Sequence, residues 1–152
     1  MNIFYLDEDS AKAAQYHCDK HVVKMILESA QLLCCALPVN ISKYKHTHVN
    51  HPCSKWTRLS KQNYLWLVSL SLELGSEYQK TYFKTHKSIE VVKDCVSKID
   101  KVLFLESEFT SPPLCMPKQY ITNSAVWSYR NYYKAEKAKF AKWKKREIPS
   151  WW

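Results

Sequence analysis

Glycine is almost missing from this sequence: Gly75 is the only one in 152 residues. Glycine-rich phosphate loops and tight primed hairpins both need backbone positions with positive φ, so both are effectively excluded. Sheet-rich folds are disfavoured for the same reason, and helices joined by proline-marked loops are favoured. No apolar run is long enough to span a bilayer. No basic-then-apolar leader opens the sequence, because Asp7, Glu8 and Asp9 follow the first apolar residues at once. Acid is scarce as well: 14 Asp and Glu stand against 23 Lys and Arg, a formal charge of +9 with neutral histidines. A field of that sign concentrates polyanions near the surface and speeds their encounter. The six cysteines lack regular spacing, and Cys34 and Cys35 are adjacent, which reads as reduced core thiols and not as a disulfide framework. Together these absences predict a cytoplasmic protein with nucleic acid as its partner and no membrane association.

What is present suits a packed interior. Hydrophobic residues make up 46% of the chain and aromatics 14%, too much for a disordered polymer. The length fits one domain over 1–152. The fold class predicted is all-α, a single-domain bundle of about four helices behind a short extended lead-in, Asn2 to Leu6. Asp9 or Ser10 caps a first helix that continues to Ala36 and stops before Pro38. A loop rich in Lys and His runs from Val39 to Pro52. A second long helical segment begins near Ser54, with Gly75 as a weak or bent point. A third runs from Ser88 to about Ile99. The stretch Phe104 to Met116, with Pro112, Pro113 and then Pro117, reads as a surface connection. A last helix runs from Asn123 or Ser124 to about Arg146.

Three clusters carry possible chemistry. His17, His21, Lys24, Glu28 and Gln31 recur at helical steps and share one face of the first helix. That face is either a solvated stripe with a Lys24–Glu28 ion pair, or a cleft in which Glu28 works beside His21 as a proton-transfer carboxylate. His46, His48, His51 and Cys53 lie close together, as do Cys18 and His21. These residue types suit zinc, but the spacing matches no strong template, so no metal and no other cofactor is assigned. Beside Lys43 and Lys45, these histidines suit phosphate contact equally. On the last helix Val126, Tyr129, Tyr133, Phe140 and Trp143 form the docking stripe. Basic residues there, including Arg130, Lys134 and Lys137, stand near Tyr132, Trp151 and Trp152, a pairing of cations with rings that nucleic acids accept.

The order of these features resembles the pyrimidine-dimer DNA glycosylase family. The resemblance is carried by Met1-Asn2-Ile3-Phe4, by His21 followed by Glu28 on the first helix, by Asn50-His51-Pro52, and by Glu77 leading to Tyr82-Phe83-Lys84. Met116-Pro117-Lys118-Gln119-Tyr120 and Arg146-Glu147-Ile148-Pro149-Ser150-Trp151 extend it over most of the chain, in patches. The chain also resembles a set of small phage proteins through Cys18-Asp19-Lys20-His21 and Asn50-His51-Pro52-Cys53, which would place it in the host cytoplasm. The glycosylase resemblance implies an N-terminal amine that attacks the sugar C1′, supplied by Met1, or by Asn2 were Met1 removed. It also implies a helix glutamate, Glu28, that assists, with no metal needed. The family has basic residues where this chain has Leu27 and Asn2. Phosphate contacts then fall to Lys24, Lys43, Lys45, Arg58 or the last helix.

Two further readings stand beside this one. The first is a non-catalytic, phage-type binder of nucleic acid, a nucleotide signal or a host protein on the same scaffold. The second is a metal-dependent hydrolase using His46, His48, His51, or Cys18 with His21.

Overall fold

The computed structural model describes residues 1–152 and is all-helical, with six α-helices and no sheet. They are α1 (Ser10–Tyr16), α2 (Asp19–Cys34), α3 (Pro52–Leu59), α4 (Lys61–Tyr82), α5 (Ser88–Ser97) and α6 (Ala125–Lys137). Single 3-10 turns at Val39–Ile41, Ile99–Lys101 and Lys118–Tyr120 punctuate the connections. No helix is long and apolar enough to cross a membrane. The six helices replace the four expected because two segments read as continuous are each broken by tertiary contacts.

The first break falls at His17 and Cys18. His17 turns to extended backbone and closes α1, while its Nδ1 pairs with the Ala13 carbonyl at 2.6 Å. The amides beyond it are claimed from outside the helix. Cys18 N donates to the Tyr133 hydroxyl, and Asp19 N to the Lys142 carbonyl. Satisfied elsewhere, these groups have no need of the helical ladder. The second break is Ser60, extended between α3 and α4, whose hydroxyl accepts from the Gln62 and Asn63 amides. Ser60 also forms a lone parallel bridge with Glu106, which pins the connection after α5 alongside.

α4, about 33 Å long by its 22 residues, is the central post, and α1, α2, α3 and α5 all pack on it. Its interior face supplies Tyr64, Leu67, Leu70 and Leu74, all fully buried. Gly75 neither bends nor ends it. A Cβ there would meet Ile89 Cδ1 at 2.5 Å, so the missing side chain is what lets α5 approach. The extended lead-in belongs to the core: Ile3, Phe4, Tyr5 and Leu6 are all buried. The Phe104–Met116 connection has the irregular backbone the prolines predict.

α6 stops at Lys137, nine residues before the expected Arg146. The chain beyond it straps back across α1 and α2. Arg146, only 7% exposed at its side chain, bonds Asp19 and the carbonyls of Gln15 and His17, and lies 3.7 Å from Glu77. Trp143 donates to the Tyr16 carbonyl. Isolated helix propensity cannot compete with that many polar contacts to α1 and α2.

Candidate functional site

Asn2 fixes the start of the chain. Its Oδ1 accepts from the Ile3 amide at 2.7 Å and the Phe4 amide at 3.1 Å, and its Nδ2 donates to the Cys115 carbonyl at 3.0 Å. Phe4 then adopts φ 49°, a left-handed conformation costly for a bulky residue, by about 1–3 kcal/mol. Its ring is held between His21, stacked at 4.5 Å, and Tyr132, at 6.2 Å. The Met1 side chain is anchored, 3% exposed, while the residue as a whole is half-buried, so what Met1 shows to solvent is main chain.

That main chain meets Glu28. The Met1 amine lies 3.9 Å from Glu28 Oε2, and the Asn2 amide donates to the same oxygen at 3.2 Å. Glu28 Oε1 faces Lys24 Nζ at 3.3 Å. The carboxylate is 14% exposed and the lysine 64%, so the ion pair reaches from the floor of the cluster out to solvent. An amine and a carboxylate from residues 26 or more positions apart have converged.

α2 carries this cluster between two surface cavities. Towards its start, Lys20 and Val23 line a cavity of about 710 Å³ shared with Tyr82, Phe140, Lys139, Lys142, Lys144 and Lys145. Towards its end, Leu27 and Gln31 line another of about 510 Å³ with Tyr44, Lys45, His46 and Thr47. Val23 and Leu27 are exposed between them, an apolar strip flanked by cations.

His21 is elsewhere. The shared helical face is cut by the break at His17, and both histidines point inward. His21 is 5% exposed and its ring lies against Phe4, Tyr133 and Phe140. Burial, then the charges of His17, Lys137 and Lys24, push its pKa down to about 3. Burial likewise lowers His17 to about 4. A ring held neutral in an aromatic box is a shelf for Phe4, not the expected proton-transfer partner of Glu28.

The expected cationic contacts divide. Lys24, Lys45 and Lys134 are exposed, and Lys43 is exposed but paired with Asp94 at 3.5 Å. Lys137 lies over the rings of Tyr132 and Phe4 at 4.9 and 5.6 Å. Arg58 and Arg130 are structural. Arg58 donates to the Val49 carbonyl and Ser54 hydroxyl, and Arg130 to the Leu6 carbonyl and Asp7, with Tyr16, Trp127 and Trp151 around its guanidinium. Of the loop histidines, His46 buries Nε2 without a hydrogen-bond partner, and His48, at φ 52°, pairs with the Thr47 hydroxyl. His51 caps α3 by accepting from the Cys53 amide at 3.1 Å, and its pKa is lowered mainly by burial.

Sequence reasoning missed Cys115. Nothing in the proline-rich connection marks it, yet folding puts its Sγ 3.6 Å from that of Cys53, 62 positions away. The thiol hydrogen bond from Cys53 makes Cys115 the more acidic of the pair and Cys53 the less, and the Met1 ammonium nearby favours the thiolate at both. A second pair, Cys34 and Cys95, has the same 3.6 Å separation inside the core. All six cysteines are free thiols. No family model, curated protein or solved structure matches the chain.

Proposed function

We propose that this protein is a DNA glycosylase with associated lyase activity, acting on damaged or modified bases through its N-terminal amine and Glu28. The observation that carries the reading is the 3.9 Å approach of the Met1 amine to Glu28 Oε2 on an exposed face of α2. The neutral amine attacks the deoxyribose C1′. The new C–N bond forms as the glycosidic bond breaks, and the departing base takes a proton. Ring opening gives an imine between the chain and the sugar, and loss of the C2′ proton expels the 3′ phosphate by β-elimination. Glu28 stabilises the cationic sugar and relays these protons.

Supporting features surround the pair. The anchored Met1 side chain and the Asn2 hydrogen bonds hold the amine in place, which preserves the entropy advantage of a positioned nucleophile. The basic cavity and the exposed lysines supply phosphate contacts in place of the basic residues that the glycosylase family has where this chain has Leu27 and Asn2. A base in a duplex must be extruded to be reached, at a cost of a few kcal/mol, and the apolar strip of Val23 and Leu27 is suited to filling the gap.

The test is borohydride trapping on ultraviolet-damaged and abasic duplexes. A covalent protein–DNA adduct is expected, and Glu28→Gln lowers its rate of formation by roughly 10²–10⁴-fold with DNA binding retained. Binding without any adduct in the unmodified protein would leave a non-catalytic binder.

A further inference from the structure

His51, Cys53 and Cys115 are the one set of three metal-ligating side chains brought together in the molecule, their donor atoms all within 4.8 Å of one another. We propose that they form a binding site for a thiophilic divalent ion, zinc being the best match. The site goes beyond the amine chemistry and stands without it.

The spacing of the two sulfurs is that of a tetrahedral centre, with an imidazole nitrogen within 4.8 Å of both. Two sulfurs each about 2.3 Å from zinc lie about 3.8 Å apart across a tetrahedron, and Cys53 Sγ and Cys115 Sγ are 3.6 Å apart. The donors come from two elements that the fold already holds rigidly. His51 and Cys53 flank Pro52 at the first turn of α3. Cys115 is fixed from both sides: Asn2 binds its carbonyl, while the Pro113 carbonyl and the Tyr129 hydroxyl accept from its amide. Two sulfurs and an imidazole favour zinc over magnesium or calcium, which take oxygen. Three protein ligands leave a fourth position free, the arrangement of zinc sites that take a water or a substrate atom.

Binding has a defined proton balance. Each thiol that becomes a thiolate ligand releases its proton to solvent, so up to two protons leave per ion bound. The imidazole is the weakest ligand of the three. Its Nδ1 already accepts from the Cys53 amide, and coordination through either ring nitrogen disturbs that cap. Cys34 and Cys95 provide an internal control, with the same sulfur spacing in the core but no imidazole or carboxylate completing a set.

Cobalt(II) titration of the fully reduced protein, followed by absorbance and then by competition with zinc, tests the site. One equivalent is expected, with a thiolate-to-cobalt charge-transfer band that zinc abolishes. Cys115→Ser, at a half-buried position, eliminates the band, Cys53→Ser does the same, and His51→Ala weakens uptake without eliminating it. The double variant Cys34→Ser, Cys95→Ser keeps the band at full strength. Circular dichroism checks that each variant is folded, and the unmodified protein with Cys115→Ser decides the matter should Cys53→Ser misfold. No uptake by reduced, folded protein overturns the proposal. So does a band that survives Cys115→Ser or disappears from the Cys34, Cys95 variant. Borohydride trapping measured in parallel separates the two proposals, since uptake without trapping refutes only the glycosylase and trapping without uptake refutes only the metal site.

Discussion

At the residue scale, the histidines of the α1–α2 junction set the response to acid. His17 and His21 have folded pKa values of about 4 and about 3, both held down first by burial, against an ordinary 6.5. The unfolded chain therefore takes up protons below about pH 6.5 that the folded chain refuses. Stability is unaffected above that pH and falls as pH drops towards 4 and 3, by up to about 1.4 kcal/mol per pH unit for each ring. Urea denaturation at pH 7 and pH 5 is expected to show the loss. His21→Phe, which keeps an aromatic ring beside Phe4 and Phe140, is expected to remove a clear part of that loss, to which His51 and His86, also lowered by burial, contribute as well. An unchanged pH dependence in the variant would mean that His21 accepts protons in the folded state. Here the sequence was only partly legible. The positions of Glu28 and Lys24 on one face followed from spacing, and the ion pair that one of the two readings of that face carried is present. That His21 turns inward did not follow, because the break at His17 depends on Tyr133 and Lys142, more than 100 residues away.

Among the elements, local signals placed helix starts well and helix ends poorly. Asp9 and Ser124 cap the helices the sequence assigned to them, while α3 starts at Pro52 behind a His51 cap, two residues before the expected start near Ser54. The end of α6 and the gap at Ser60 depend on distant partners, Arg146 with Asp19 and Ser60 with Glu106, that no window of sequence contains. Gly75 shows the same limit from the other side. By propensity alone Gly75→Ala would stabilise α4 by about 1 kcal/mol. The new Cβ would sit 2.5 Å from Ile89 Cδ1 and 3.0 Å from Cγ1, and overpacking of that kind costs about 1–3 kcal/mol. Thermal denaturation should show Gly75→Ala less stable than the parent. Adding Ile89→Val, which removes Cδ1, should recover most of the difference. A stabilised single variant would mean that α5 shifts freely on α4.

For the whole molecule, the +9 charge was plain in the sequence, but its distribution was not. Arg58 and Arg130 are bound within the fold, whereas Lys139, Lys142, Lys144 and Lys145 gather with Lys20 around one cavity beside α2. The strap after α6 creates that cluster by bending back, where an uninterrupted helix would have spread the same residues around its circumference. Duplex affinity should fall steeply with salt. Replacing both Lys142 and Lys144 with alanine should flatten the plot of log affinity against log salt by nearly 2. An unaltered slope would move the phosphate track elsewhere. The same bending explains why the candidate site was legible in its parts and not in its assembly. Met1 and Glu28 were each identifiable, but Cys115 reaches Cys53 only through the closing of a 62-residue separation.

The chemistry turns on which nitrogen becomes attached to the sugar, and proteolysis of the borohydride-reduced adduct followed by mass spectrometry reads this directly. The DNA remnant is expected on the α-amine of the N-terminal peptide, and prior acetylation of that amine should abolish the adduct. Attachment to a lysine side chain such as Lys24, or trapping that survives acetylation, would contradict the claim that the chain end is the nucleophile.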